Sequence, residues 1–126
     1  PKFLKSQHRK LKLLQGRAAR KQKRSANSEK AQIKVARLHH HIASTRKDFH
    51  LKTAHKLCDQ AETIFAEDLN TVGLNRGMLR KDCIDASFGA FLDLLEWVCW
   101  KRGAFFMRVN PNGTSQTCPH CGATVK

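Results

Sequence analysis

A chain of 126 residues with 24 Lys or Arg, 10 Asp or Glu and a net charge of +14 has room for one ordinary domain. The charge is lopsided: residues 1–56 hold 17 basic residues against Glu29 and Asp48, a net of +15, while residues 57–126 hold seven against eight, a net of −1. No run approaches the roughly 18 apolar residues of a membrane span, and Lys2, Lys5, Arg9 and Lys10 leave no signal-peptide core at the N-terminus.

In chain order, residues 1–24 place Leu4, Leu11, Leu14 and Ala18 at near-helical spacing among Lys and Arg, which predicts a long amphipathic helix. The small polar run Ser25-Ala26-Asn27-Ser28 follows, and Asn27 or Ser28 is expected to cap a second helix with Glu29 in its first turn. That helix is expected to reach about Leu57, with Val35, Leu38, Ile42, Thr45 and Phe49 on its apolar stripe. Together they predict a helical hairpin studded with Arg9, Lys10, Arg17, Arg20, Lys21, Lys23, Arg24, Lys34, Arg37, Arg46 and Lys47. A solvated coiled coil normally interleaves Glu with Lys, and two acids among 17 bases do not neutralise such a pair internally. An interfacial membrane helix needs a Trp, Phe and Leu face that this block lacks. A phosphate backbone is the partner best matched to it. Consecutive side chains on a helix point about 100° apart, so His39, His40 and His41 suit phosphate contact or plain surface better than one metal.

The pattern then changes. Thr63-Ile64-Phe65-Ala66 is a β-branched and aromatic run that predicts a buried strand, ended by the adjacent carboxylates Glu67 and Asp68, where α/β folds place their chemistry. Strand neighbours face opposite ways, so at most one of the two addresses a common site while the strand continues. Residues 72–77 predict a turn, residues 84–102 one buried helix stopped by Gly103, and residues 104–109 a second strand. Strand, helix and strand at this length predict a parallel crossover.

Cys58, Cys83, Cys99, Cys118 and Cys121 form no regular disulfide framework; reduced thiols with one metal pair, in a cytoplasmic setting, fit them better. Cys118-Pro119-His120-Cys121-Gly122 has the spacing of a zinc knuckle. A redox dithiol is the alternative, but that motif normally opens a helix, and Gly-Ala-Thr-Val-Lys offers no helix start.

Read together, the Arg17-to-Arg24 basic region, Ala36-Arg37-Leu38-His39, Arg46-Lys47-Asp48-Phe49-His50, Ala66-Glu67-Asp68-Leu69-Asn70, Gly73-Leu74, Asp85-Ala86-Ser87-Phe88-Gly89 and Thr114-to-Gly122 occur in an order that resembles the C-terminal half of the TnpB or OrfB proteins of insertion sequences. Those proteins are similar to the compact type V CRISPR effectors. The resemblance implies an α/β, mostly helical part of an RNase H-like, RuvC-like nuclease. Residues 1–58 would form its basic hairpin, residues 59–110 a strand-helix-strand piece of its core, and residues 111–126 the first half of a zinc ribbon. It implies guide RNA and DNA as partners, structural Zn²⁺ on Cys118 and Cys121, and Mg²⁺ held by three separated carboxylates. Glu67 matches the middle one, and Asp68 is expected to be structural. The other two fall outside this stretch, which is expected to bind and not to cut by itself. A basic, non-enzymatic zinc-knuckle protein, or a transposase remnant without catalysis, is the other reading.

Overall fold

The computed structural model describes residues 2–74, 80–112, 120, 121 and 123. Helix α1 spans Phe3–Ala19 and α2 Ala26–Gln60. Strand β1 spans Thr63–Glu67, followed by the short helix α3, Thr71–Leu74, and by α4, Arg80–Ala86. Helix α5, Phe88–Arg102, leads to strand β2, Phe105–Val109. The architecture is mostly helical with one parallel pair of strands.

Helices α1 and α2 form the predicted hairpin. With 35 residues, α2 is about 50 Å long. Its cap is Ser25, ahead of the expected Asn27 or Ser28: Ser25 Oγ accepts from Ser28 N–H at 3.2 Å, and the Ser25 hydroxyl donates to Gln22 O at 2.7 Å. The serine at the turn is preferred because its extended backbone aims its oxygen at the first free amides. Leu11, Leu38 and Ile42 are buried between the two helices, flanked by Phe3, Leu4, Leu14 and Val35.

A second core holds the other end of α2. Ala54, Leu95, Val98 and Cys99 are buried, with Leu51, Leu57, Ile64, Phe91 and Phe106 packed against them. Through it α5 joins α2 to the inner face of the sheet. Gly103, at φ +73°, stops α5 in the left-handed conformation, and Ala104 N–H closes the end on Cys99 O at 2.9 Å.

Two further expectations are corrected. The single helix over 84–102 is broken at Ser87, whose φ and ψ of 55° and 53° are left-handed. The break separates α4 from α5, and the Ala86 carbonyl beside it pairs with His50. The strand at 63–67 is not fully buried on either face, its inner face being half-buried and its outer face exposed. Ile64 and Ala66 point inward, while Phe65 on the outer face is 61% exposed, because two strands offer a single packed side. The predicted parallel pairing holds, with Thr63 opposite Phe105 and Glu67 opposite Val109.

Candidate nucleic-acid interface and carboxylate site

Of the eleven cations singled out on the hairpin, Arg9, Lys10, Arg17, Arg20, Lys21, Lys23, Arg24, Lys34, Arg37 and Lys47 are exposed. Among the described residues none of these ten forms an ion pair. The hairpin packing brings some of them together: Lys10 from α1 and Lys34, Arg37 and His41 from α2 line a groove of about 460 Å³ floored by Leu14 and Leu38. Three fixed positive charges and an imidazole around an apolar floor make a place where a phosphate meets several donors at once.

Arg46 has a different task. Its Nη2 donates to Asp85 Oδ1 at 3.0 Å, and the two side chains are 22% and 4% exposed. The same carboxylate accepts from Leu4 N–H at 2.7 Å and Lys5 N–H at 3.2 Å. Asp85, on α4, thus satisfies the free amides that begin α1, and its negative charge sits at the positive end of that helix. Burial pushes its pKa up, but the two amides and the Arg46 guanidinium outweigh this and hold the carboxyl below its ordinary value. The guanidinium also lies 5.8 Å from the centre of the Phe3 ring.

Next to this pair His50 is buried, and its Nε2 is 3.0 Å from Ala86 O. A carbonyl only accepts, so Nε2 carries the proton. Burial lowers the pKa of His50, opposed by the bond to Ala86 and reinforced by the nearby charge of Arg46. The structural roles of Asp85 and His50 were missed in the sequence reading; the available signal was a lone acid between Ile84 and Ala86 in an apolar stretch, since a buried carboxylate requires a partner.

A second groove, about 650 Å³, lies between α2 and α5 and is lined by Arg46, Lys47, His50, Asp93 and Trp97, among others. Trp97 is also unpredicted as a site residue; the Lys101 ammonium sits 5.0 Å from the centre of its ring. An aromatic face among bases suits stacking of an unpaired nucleobase.

At the sheet end, Glu67 closes β1 on the outer, exposed face. Asp68 lies just beyond the strand, where its N–H donates to Val109 O at 2.9 Å and its Oδ1 stands 3.9 Å from Arg108 Nη1. Arg108 Nη2 is closer still to two acids of α5, 2.7 Å from Asp93 and 3.0 Å from Glu96. Asp93, followed by Glu96, raises the guanidinium pKa. The two adjacent carboxylates therefore have different surroundings: Asp68 borders a charged cluster, and Glu67 has no ion pair among the described residues. Among those residues no three His, Cys, Asp or Glu side chains converge as a metal site. Cys121 is exposed; Cys118 lies outside the described residues.

Comparison with known proteins connects the basic hairpin to the carboxylate strand in one family. The OrfB_IS605 family model, described as "Probable transposase", matches residues 1–77, more than half of the chain. The chain belongs to the OrfB_IS605 family. The model for a Cas12f1-like TNB domain matches residues 88–126. A relative in Streptomyces pristinaespiralis, named "Putative RNA-guided DNA endonuclease", is 32% identical over 124 residues, covering 97% of this chain and 31% of the relative. InsQ of Escherichia coli K12, named in the same way, is 29% identical over 140 residues, covering 98% of this chain and 35% of InsQ. The chain thus spans about a third of the length of these curated relatives. Among the described residues no helix of this OrfB-family chain is long and apolar enough to cross a membrane.

Proposed function

We propose that this chain is the nucleic-acid-gripping part of a transposon-associated, RNA-guided DNA endonuclease, with α1 and α2 lying against the phosphates of guide RNA and target DNA. The observation that carries the reading is the groove where Lys10, Lys34, Arg37 and His41 meet, on a hairpin whose exposed Arg9, Arg17, Arg20, Lys21, Lys23, Arg24 and Lys47 also form no ion pair among the described residues. The names of the relatives and the family match support the same reading.

Strands β1 and β2, with α5 across them, are read as a piece of a RuvC-like core in which Glu67 is one of three metal-holding carboxylates. Its exposed carboxylate suits one oxygen position of a hard cation such as Mg²⁺, while Asp68 keeps a structural place beside Arg108. Mg²⁺ bound in such a site supplies Lewis-acid activation of water and of the departing phosphodiester oxygen. The thiolates of Cys121 and Cys118 suit Zn²⁺ as half of a ribbon. With one carboxylate of the three, this stretch by itself binds without cutting. A non-enzymatic binding protein shares the hairpin and its grip, and differs in lacking cleavage by the full-length protein in Mg²⁺.

The test is binding of the chain to duplex DNA and to RNA over a range of salt concentrations. Affinity is expected to fall steeply and linearly on logarithmic axes, because several phosphates are neutralised together; a flat dependence overturns the electrostatic grip. For the thiols, stoichiometric zinc in the purified chain is expected to be lost in Cys121→Ser, and a variant that keeps all its metal removes the ribbon reading.

A further inference from the structure

Cys58 and Cys99 are far apart in sequence and adjacent in space. Cys58 lies near the end of α2 and Cys99 near the end of α5, with their sulfurs 3.6 Å apart in the core beneath β1. Cys99 is fully buried and Cys58 is half-buried, so only one of the two meets solvent. A bond requires the sulfurs to approach by about 1.5 Å, since the S–S length is about 2.05 Å. The loop it would close contains β1, α3 and α4, and therefore Glu67 and the Asp85 cap of α1.

We propose that Cys58 and Cys99 are a reversible redox modification site, a dithiol that closes to a disulfide under a low-molecular-weight disulfide oxidant and clamps α2 to α5 below the carboxylate strand. The order of events follows from exposure. The Cys58 thiolate attacks one sulfur of the oxidant, whose S–S bond breaks as a new bond forms to Cys58; the first leaving thiolate takes up a proton. Cys99 then attacks Cys58 Sγ as its thiolate, and the proton it gives up is taken by the departing thiolate, which leaves as the second thiol. Two protein thiols and one small disulfide become one protein disulfide and two small thiols, with two electrons passing from protein to oxidant. In the reduced pair burial, followed by the hydrogen bond and charge of Cys58, pushes the Cys99 thiol up to about 11; burial persists once Cys58 is in the mixed disulfide and still holds Cys99 protonated at neutral pH, so the second step is the slow one and accelerates as pH rises.

The experiment incubates the intact chain with oxidised glutathione, quenches by alkylation and reads intact mass and the non-reduced peptide map. The expected product is two hydrogens lighter than the reduced chain, carries a Cys58–Cys99 linked peptide, melts higher and reverts with dithiothreitol. In Cys99→Ala the reaction is expected to stop as a glutathione adduct on Cys58; in Cys58→Ala, Cys99 is expected to stay unmodified. A wild-type chain that retains glutathione on Cys58 without a link, or whose linkages map only to Cys83, Cys118 or Cys121, overturns the proposal whether or not the alanine variants fold.

Discussion

Along the hairpin, Lys10, Lys34 and Arg37 surround a groove with no carboxylate among its lining residues. At the other end Arg102 lies 2.6 Å from Asp59, and Arg108 lies 2.7 Å and 3.0 Å from Asp93 and Glu96. The same contrast occurs between neighbours on one helix: Arg46 turns inward to Asp85, and the side chain of Lys47, about 100° further round, is exposed. One group of cations is paired within the fold, and the other, on the proposed reading, is left for an external anion. Burial and the availability of an acid separate them, since residue type is the same in both.

The largest expected effect is on the free group. Replacing Lys10, Lys34 and Arg37 together by Gln is expected to lower affinity for duplex DNA or RNA roughly a hundredfold at physiological salt and to reduce the salt slope by about three, while melting stays within about 1 kcal/mol of wild type. An unchanged slope would erase the distinction. Next comes the buried pair. Asp85→Asn leaves Arg46 without its counter-charge and weakens the cap of α1, and is expected to cost about 2–3 kcal/mol in denaturant melts at neutral pH. Its pH dependence has a definite sign. The folded carboxyl titrates below the unfolded one, so its stabilisation is present above the unfolded pKa of about 3.9 and is lost as pH falls through the folded pKa; the variant is expected to lack that acid limb. A neutral-pH loss with an unaltered acid limb would assign the effect to packing instead. The smallest effect belongs to Arg108→Gln. Its partners are well exposed, so the change is expected to cost under about 1 kcal/mol despite three nearby acids. A larger loss would place Arg108 with the buried pair.

The hairpin was legible because its apolar residues recur at helical spacing, and the crossover because two short apolar runs flank a long periodic one. The cap was missed by two or three residues because Ser25, Asn27 and Ser28 share the same capping chemistry and only backbone direction selects among them. The broken helix was not legible, since 84–102 keeps its periodicity through Ser87 and a left-handed residue has no mark in the pattern when it is not glycine. Half of the strand's burial was misjudged for a similar reason: Phe65 is apolar in sequence, and exposure depends on what lies across the sheet.

The sequence by itself determined the basic excess of the first half, the helical hairpin, the parallel strands and the family resemblance, all of which rest on local periodicity, composition or motif order. Only the tertiary structure decided that Lys10, Lys34 and Arg37 share one groove, that Arg46 and Asp85 form a buried pair 39 residues apart, and that Cys58 meets Cys99 across 41. Those are contacts between different helices, and their existence depends on how the helices pack, which no local pattern specifies.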